Sequence, residues 1–485
     1  MRGFLASSVG VVCTAALTLP SALGTAHARA DHASLMGGTQ SLPLRPLGLP
    51  LDRGMAAPGG DRGLAARDVP PFSLVGVVWD DASDDLRGQV QVRTRAARTG
   101  TWSAWRDLRA YHDDAPDPAP GASDGGAGHP RGGTAPLWVG DSDGVQARVR
   151  AARPAGAVPA ALPAGMRLEL VNPGAAPAPP PAHPDPAHPD PHPAHPDPHL
   201  GHPDPHLGHP DPHLGHPDPH PGHAIPHAGH PSPHPTAIPH ATGGPQPGGG
   251  VTTPTPRPAT PTPRPRPSKT AQLPTGQAGS SAVRHTAPRP RIITRAGWGA
   301  NEGIRESGYA YSKTVKAAFI HHTVTGNSYT CAQVPSVLRS IYRYHVQSMG
   351  WRDYGYNFTI DKCGNIYEGR AGGVTKAVLG AHTLGFNQNS MGVAVLGTYT
   401  AKKPSAKAVR AIAKLTAWKL GLFNRNPRGT THLVSGGGNK YKKGVNVKLR
   451  VISGHRDGFA TECPGQRLYS KLNSVRSTAA RLQGR

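Results

Sequence analysis

The sequence predicts an α/β domain at the C-terminus, with a central mixed β-sheet flanked by helices. An all-β, sandwich-like domain lies near the N-terminus, and a long disordered connector rich in Pro and His joins the two. Three observations carry this. The chain has 485 residues, of which Pro 55 and Gly 61 make up nearly a quarter, concentrated in one region. Residues 70–172 hold short β-rich runs parted by Gly, Asp and Pro turns. From about Pro290 onward, apolar runs of strand length alternate with longer runs of helical period.

Residues 1–30 read as a secretory signal. Arg2 gives a thin positive end, "FLASSVGVVCTAALTLP" an apolar core, and "AHA" (Ala26 to Ala28) or "ARA" (Ala28 to Ala30) a small-residue cleavage site. The apolar run is short and broken by Ser, Thr and Pro, so a transmembrane anchor is not expected. Residues 31–69 read as poorly ordered. In 70–172 the strands are "FSLVGVVW", "QVQVRTRA", "TWSAWRDL", "LWVGDSDGVQARVR" and "MRLELV". Trp79, Trp102, Trp105 and Trp138 there are either core or a sugar-stacking surface. Residues 173–290 settle into the heptapeptide HPDPHLG and then "TPTPRPATPTPRPRP", a semi-rigid extended spacer. It carries 16 of the 27 His, between His183 and His240, which are either incidental or a loose metal-binding tract.

Residues 291–485 form the α/β pattern. "AAFIHH" is a strand, and "CAQVPSVLRSIYRYHVQSM" a helix with Val337, Leu338, Ile341 and His345 on one face. "YNFTIDKCGNIYEGR" is a hairpin turning at Lys362 to Asn365, and "GVAVLGTY" a buried strand. "SAKAVRAIAKLTAWKLGL" is a helix capped by Ser405. "RVISGH" is a strand ending at His455, and a last helix runs from Gln466 to Leu482.

The net charge is +24. Arg291 to Arg485 hold 30 Lys+Arg against 7 Asp+Glu, a balance of +23, with no acid between Gly369 and Arg456. Such a field favours a polyanionic surface. For a secreted chain that surface is an anionic cell wall or its polymers rather than nucleic acid, and the chain is expected to act as a monomer. Removing Cys13 with the signal leaves Cys331, Cys363 and Cys463, an odd number that suggests one disulfide and one thiol with another task.

Two strand ends present histidine, "FIHH" and "ISGH", and Cys463 follows His455 by eight residues. His, His and Cys are zinc ligands, and three of them leave a fourth position for water; the alternative is histidines satisfied in a core. Alternation along a strand lets only one of His321 and His322 face a given pocket. No HExxH is present, which excludes the usual zinc-protease helix.

"IITRAGWGA", "FIHHTVTG", "DYGYNFTIDKCGNIYEGR", "GAHTLGFNQNSMGVAVLG" and "GHRDGFATECPG" resemble, in order, the peptidoglycan recognition proteins and the related phage-type N-acetylmuramoyl-L-alanine amidases. "PFSLVGVVW" and "GTAPLWVGDSDGVQ" resemble the N-terminal β region of secreted actinobacterial members. The resemblance implies Zn2+ on His321, His455 and Cys463, with Tyr356 and Thr461 as catalytic residues. It implies His382 near the substrate and a disulfide between Cys331 and Cys363, closing a loop worth about 3–4 kcal/mol in the chain-entropy model. It implies a secreted, wall-associated enzyme that cuts the bond between muramic lactyl and L-alanine in peptidoglycan. A wall-binding module with little activity and a zinc peptidase cutting within the stem are the competing readings. Asp457 and Glu462 are candidate general bases by type, but the family does not use them so. "YEGRAGG" departs at Ala371 and Gly372 from the Gly-Trp of members that prefer diaminopimelate stems, which leaves stem preference open.

Overall fold

The computed structural model describes residues 37–47, 60–110, 115–116, 130–153, 155, 159–175 and 285–485. The signal reading and the HPDPHLG repeat lie outside the described residues.

The N-terminal part is one antiparallel sheet. It contains β1 (Gly38–Pro43), β2 (Arg62–Trp79), β3 (Gly88–Ala96), β4 (Arg106–Leu108), β5 (Leu137–Ala151) and β6 (Arg167–Asn172). Their order is β1-β6-β2-β5-β3-β4, with the two-residue strands Arg45–Pro46 and Gly132–Gly133 added at β2. The long strand β2 shifts register against β5 between Leu64 and Arg67, Asp68 and Phe72, and Phe72 and Leu74. Bulges of this kind bend a strand and increase its twist. Alternation in β3 sends Val90, Val92 and Thr94 inward, to a core with Phe72, Val75, Val77, Trp79 and Leu168. Here the reading of 31–69 as poorly ordered is corrected for residues 37–47 and 60–69; the rest of that span lies outside the described residues. Gly38–Pro43 pairs with β6 and Arg62–Asp68 with β5. Both segments are mostly polar and lie half-buried to exposed, so tertiary pairing rather than an apolar pattern defines them.

The C-terminal part is built on a mixed sheet of β7 (Ile292–Ile293), β8 (Ala317–His322), β9 (Phe358–Ile360), β10 (Ile366–Glu368), β11 (Ser390–Val395) and β14 (Ile452–Gly454). Its order is β14-β8-β11-β9-β10-β7, with only β9 and β10 antiparallel. β8 and β11 are buried throughout, as central parallel strands covered on both faces must be. Helix α1 (Val334–Arg343) covers one face; α2 (Ala406–Leu422) and α3 (Leu472–Leu482) cover the other. Ser405 caps α2 by accepting from the Ala408 N–H at 3.0 Å. Asp361 Oδ1 accepts from Cys363 N and Asn365 N, which closes the β9–β10 turn. A second hairpin, β12 (Thr430–Val434) with β13 (Asn446–Arg450), was not anticipated. Its exposed Thr, His and Lys give a weak strand signal.

Two helices differ from expectation. The first passes after Arg343 into a π-turn, Tyr344–Ser348. The last is broken into a turn, Gln466–Tyr469, and α3. No described helix is long and apolar enough to cross a membrane. His285 Nδ1 lies 3.3 Å from the Gln483 carbonyl oxygen, so the last residues assigned to the connector pack on the C-terminal part.

The π-turn is where the β-sheet docks. Leu74, Val78, Ala135, Trp138 and Val171 share one buried cluster with Val337, Leu338, Ile341 and Tyr344. The Tyr344 hydroxyl donates to the Thr134 carbonyl at 2.8 Å. Ser348 Oγ donates to Glu169 Oε2 at 3.0 Å, and Ser41 Oγ donates to the other oxygen at 2.6 Å. Burial raises the Glu169 carboxyl above its usual range, against the two hydroxyl bonds. A Cβ at Gly76 would stand 2.5 Å from the Tyr344 ring. Gly76→Val is therefore expected to destabilise the protein by about 1–3 kcal/mol through overpacking, measured by urea unfolding. Gly60→Val, which meets open space at a position without a positive φ, serves as the undocked comparison.

Candidate metal centre

Parallel pairing puts Ile320 of β8 beside Gly454 of β14, and His321 beside Ala394 of β11. His321 thus leaves the C-terminal end of the central strand, and His455 follows directly on the next strand's end. The chain turns there into a single helical turn, His455–Gly458. Asp457 secures that turn: Oδ2 accepts from Gly454 N at 2.8 Å, and Oδ1 accepts from the Tyr469 hydroxyl at 2.7 Å. Both of its oxygens are engaged in structure, so Asp457 is not poised as a base. The loop then returns, and Arg456 N donates to the Cys463 carbonyl at 3.0 Å.

This geometry brings His321, His455 and Cys463 together, all buried, with one donor atom from each within 4.8 Å of the others. The two imidazole centroids are 4.5 Å apart. Cys463 Sγ is 3.8 Å from His321 Nδ1 and accepts the His322 backbone N–H at 3.4 Å. Cys463 is not disulfide-bonded, whereas Cys331 and Cys363 are bridged, with Cα atoms 6.4 Å apart. His322 faces the opposite side of the sheet, where its Nδ1 accepts from Tyr399 N at 3.1 Å. Burial, then the Arg109 and Arg456 charges, holds His322 down to about 3.

The surroundings orient His321. Its Nε2 is 3.5 Å from Thr383 Oγ1, which is 3.0 Å from His382 Nδ1. Asn387 Oδ1 fixes that corner by accepting from the backbone N–H groups of His382 and Thr383, at 2.7 and 3.0 Å. His382 is fully buried against Gly392, where a Cβ would meet its ring at 2.4 Å. Burial drives both His321 and His382 well below the usual imidazole range, so both are neutral at physiological pH. The Tyr356 ring centroid is 5.4 Å from that of His321 and 6.0 Å from that of His345. Thr461 Oγ1 accepts from Cys463 N at 3.1 Å and sets the approach of the sulfur.

Thr383 and Asn387 were not read as site residues. Both lie in "GAHTLGFNQ", but neither residue type signals a role unless its neighbours in space are known. Glu462 is exposed and ion-paired with Arg109 of the β-sheet part. Asn387 Nδ2 donates to the Ala115 carbonyl at 2.9 Å. The β-sheet part therefore contacts two residues that border the donors: Glu462, which precedes Cys463, and Asn387, which holds the Thr383 backbone.

His345 is buried, stacked on Trp351 at 4.5 Å, and accepts from Gly355 N at 3.2 Å. Burial, with a smaller contribution from Arg370, lowers it to about 3. The unfolded chain takes up this proton below about 6.5, but the folded one only near 3. Stability falls as pH drops through that window, by about 2–3 kcal/mol between pH 6.5 and 4.5. His345→Gln is expected to flatten that part of a stability–pH curve measured by urea unfolding.

Residues 311–466 match the N-acetylmuramoyl-L-alanine amidase family. Residues 29–187 match the family described as Rv3811 N-terminal galactose-binding domain-like. The chain is 32% identical over 183 residues to peptidoglycan-recognition protein SC2 of Drosophila melanogaster, which covers 38% of this chain and 85% of the relative. It is 33% identical over 187 residues to peptidoglycan-recognition protein 1 of Holotrichia diomphalia, covering 38% and 80%. Among solved structures, Drosophila PGRP-LB is 26% identical, with a TM-score of 0.30, over 38% of this chain and 93% of that one.

Proposed function

The chain belongs to the peptidoglycan-recognition protein family, and from that premise we propose that it is a secreted, wall-associated, zinc-dependent N-acetylmuramoyl-L-alanine amidase. Its reaction is hydrolysis of the amide between the muramic lactyl group and L-alanine in peptidoglycan. The observation that carries this reading is the convergence of His321, His455 and Cys463 at the ends of adjacent parallel strands.

The donor set fits zinc: two imidazole nitrogens and one sulfur, with the His321 imidazole held neutral by burial and a fourth position left over. Bound there, the ion supplies Lewis acidity and a water acidified to near neutrality. The protein's own groups do the rest. Thr383 holds His321 by its far nitrogen, an outer-shell contact of the sort that fixes a ligand's tautomer and ring angle. Tyr356, packed against His321, donates its hydroxyl to the carbonyl oxygen as charge builds there. Thr461 keeps the Cys463 loop in place beside it. His382 closes the wall behind Thr383. The excess of 30 Lys+Arg over 7 Asp+Glu from Arg291 to Arg485 favours adsorption to anionic wall polymers.

A second reading is favoured by one observation. The donors are buried, with His321 and His455 at 0% exposure, and the β-sheet part contacts the neighbouring Glu462 and Asn387. That arrangement suits a wall-binding protein with little turnover. Mass spectrometry of products from purified muropeptides separates the two. Free stem peptides beginning with alanine are expected from zinc-loaded protein, and none after chelation. Cys463→Ser is expected to abolish release while wall pelleting persists; unchanged release would refute the assignment. Thr383→Val is expected to weaken zinc affinity about 10–100-fold in a competition titration with a chelating dye.

A further inference from the structure

The β12–β13 hairpin has no part in the chemistry above, yet it stands against both segments that surround the centre. A two-stranded hairpin is marginal by itself, so what it docks on defines it. Leu433, Val447 and Leu449 face inward and share a buried cluster with Phe319 and Phe386. Its loop, residues 435–445, holds three consecutive glycines but has a set shape. Ser435 N donates to the Val445 carbonyl at 2.8 Å, and Ser435 Oγ accepts from Gly437 N at 3.1 Å.

One side of this loop meets the segment that orients His321. Gly436 N donates to the Gly385 carbonyl at 2.7 Å, and the Tyr441 ring packs edge-on against Phe386 at 5.8 Å. Gly385 lies two residues after Thr383, whose Oγ1 is 3.5 Å from His321 Nε2. The other side meets the chain between His455 and Cys463. Asn439 Oδ1 accepts from Ala460 N at 2.8 Å, and its Nδ2 donates to the Ala460 carbonyl at 3.3 Å. Lys440 Nζ donates to the Arg456 carbonyl. The Asn439 amide thus satisfies both backbone groups of Ala460, which have no other hydrogen bond among the described residues. The bonds of Asp457, Arg456 and Thr461 close the ends of that segment, and Asn439 holds its middle.

We propose that Asn439 is a positioning residue of the metal centre. Through Ala460 it fixes the segment of His455 and Cys463 against that of His382 and Thr383, across a hairpin loop that touches both. The donors come from separate parts of the chain, so they stand ready for an ion only while these segments keep their separation. Ligands held in place beforehand lose less freedom on binding, and groups beyond the ligands set affinity in this way. The zinc half of the proposal rests on the amidase reading; the placing of Cys463 does not. An amide that only capped a surface loop would leave Cys463, 5% exposed, as protected without it as with it.

Two measurements on the full-length protein test this. Alkylation of Cys463 by iodoacetamide is followed in metal-free protein by peptide mass spectrometry, and zinc affinity is read by competition with a chelating dye. In Asn439→Ala the two lost bonds are expected to speed alkylation and weaken zinc binding, each about tenfold, at an unchanged melting temperature. Asn439→Asp keeps the 2.8 Å bond and is expected to lie between that variant and wild type. Lys442→Ala, an exposed neighbour in the same loop, is expected to match wild type. An unchanged alkylation rate in folded Asn439→Ala, or an equal rise in Lys442→Ala, overturns the proposal. So does a rise that merely tracks a lower melting temperature, as Gly76→Val would produce. Zinc affinity unchanged in a variant with unprotected Cys463 overturns the role at the metal centre. If Asn439→Ala does not fold, Asn439→Asp decides by the same two measurements. Wild-type protein that binds no zinc sinks the amidase reading alone, and alkylation then decides this one.

Discussion

Parallel registration of the strand ends is the constraint on which the rest depends. β8 lies between β11 and β14, and Ile320 pairs with Gly454. That pairing delivers His321 and His455 to one point although 134 positions separate them in the chain. Ligand sites in open α/β sheets gather at the carboxyl ends of strands for this reason: adjacent chains stop there and turn away, leaving side chains exposed to one another. The third donor comes from a loop, and it arrives because Asp457, Arg456 and Thr461 tie that loop back to its own beginning.

The histidines illustrate how burial is made to serve chemistry. A fully buried imidazole resists protonation, which keeps its nitrogens available as lone-pair donors. The same burial makes the fold sensitive to acid, since His345 and His322 also sit neutral inside. The site and its acid sensitivity thus have a common origin in desolvation.

The β-sheet part is not a loosely tethered accessory. It shares a buried cluster with α1 and the π-turn, and the Tyr344 hydroxyl reaches Thr134 across it. A glycine at 76 is required where the Tyr344 ring lies against β2. The helix departs from regular α geometry at this same contact: Tyr344 and Ser348, the two ends of the π-turn, are the residues that bond to the sheet. It also explains how Arg109 and Ala115 come to rest beside the candidate centre.

Much was legible in the sequence because local pattern and fold agree. Alternation in "AAFIHH" fixed that only one of two histidines could face the centre, helical periodicity marked α1 and α2, and Ser405 marked the start of α2. Composition separated the connector from the two folded parts. What sequence could not supply are features defined by partners distant in the chain. The strands before residue 70 are polar and exist through pairing with β5 and β6. Thr383 and Asn387 matter only because His321 stands beside them. Residue type and spacing determine which groups are able to do chemistry. Which of them meet, and which remain unsatisfied, is decided by long-range packing, because free energy depends on neighbours in space and the chain lists only neighbours in order.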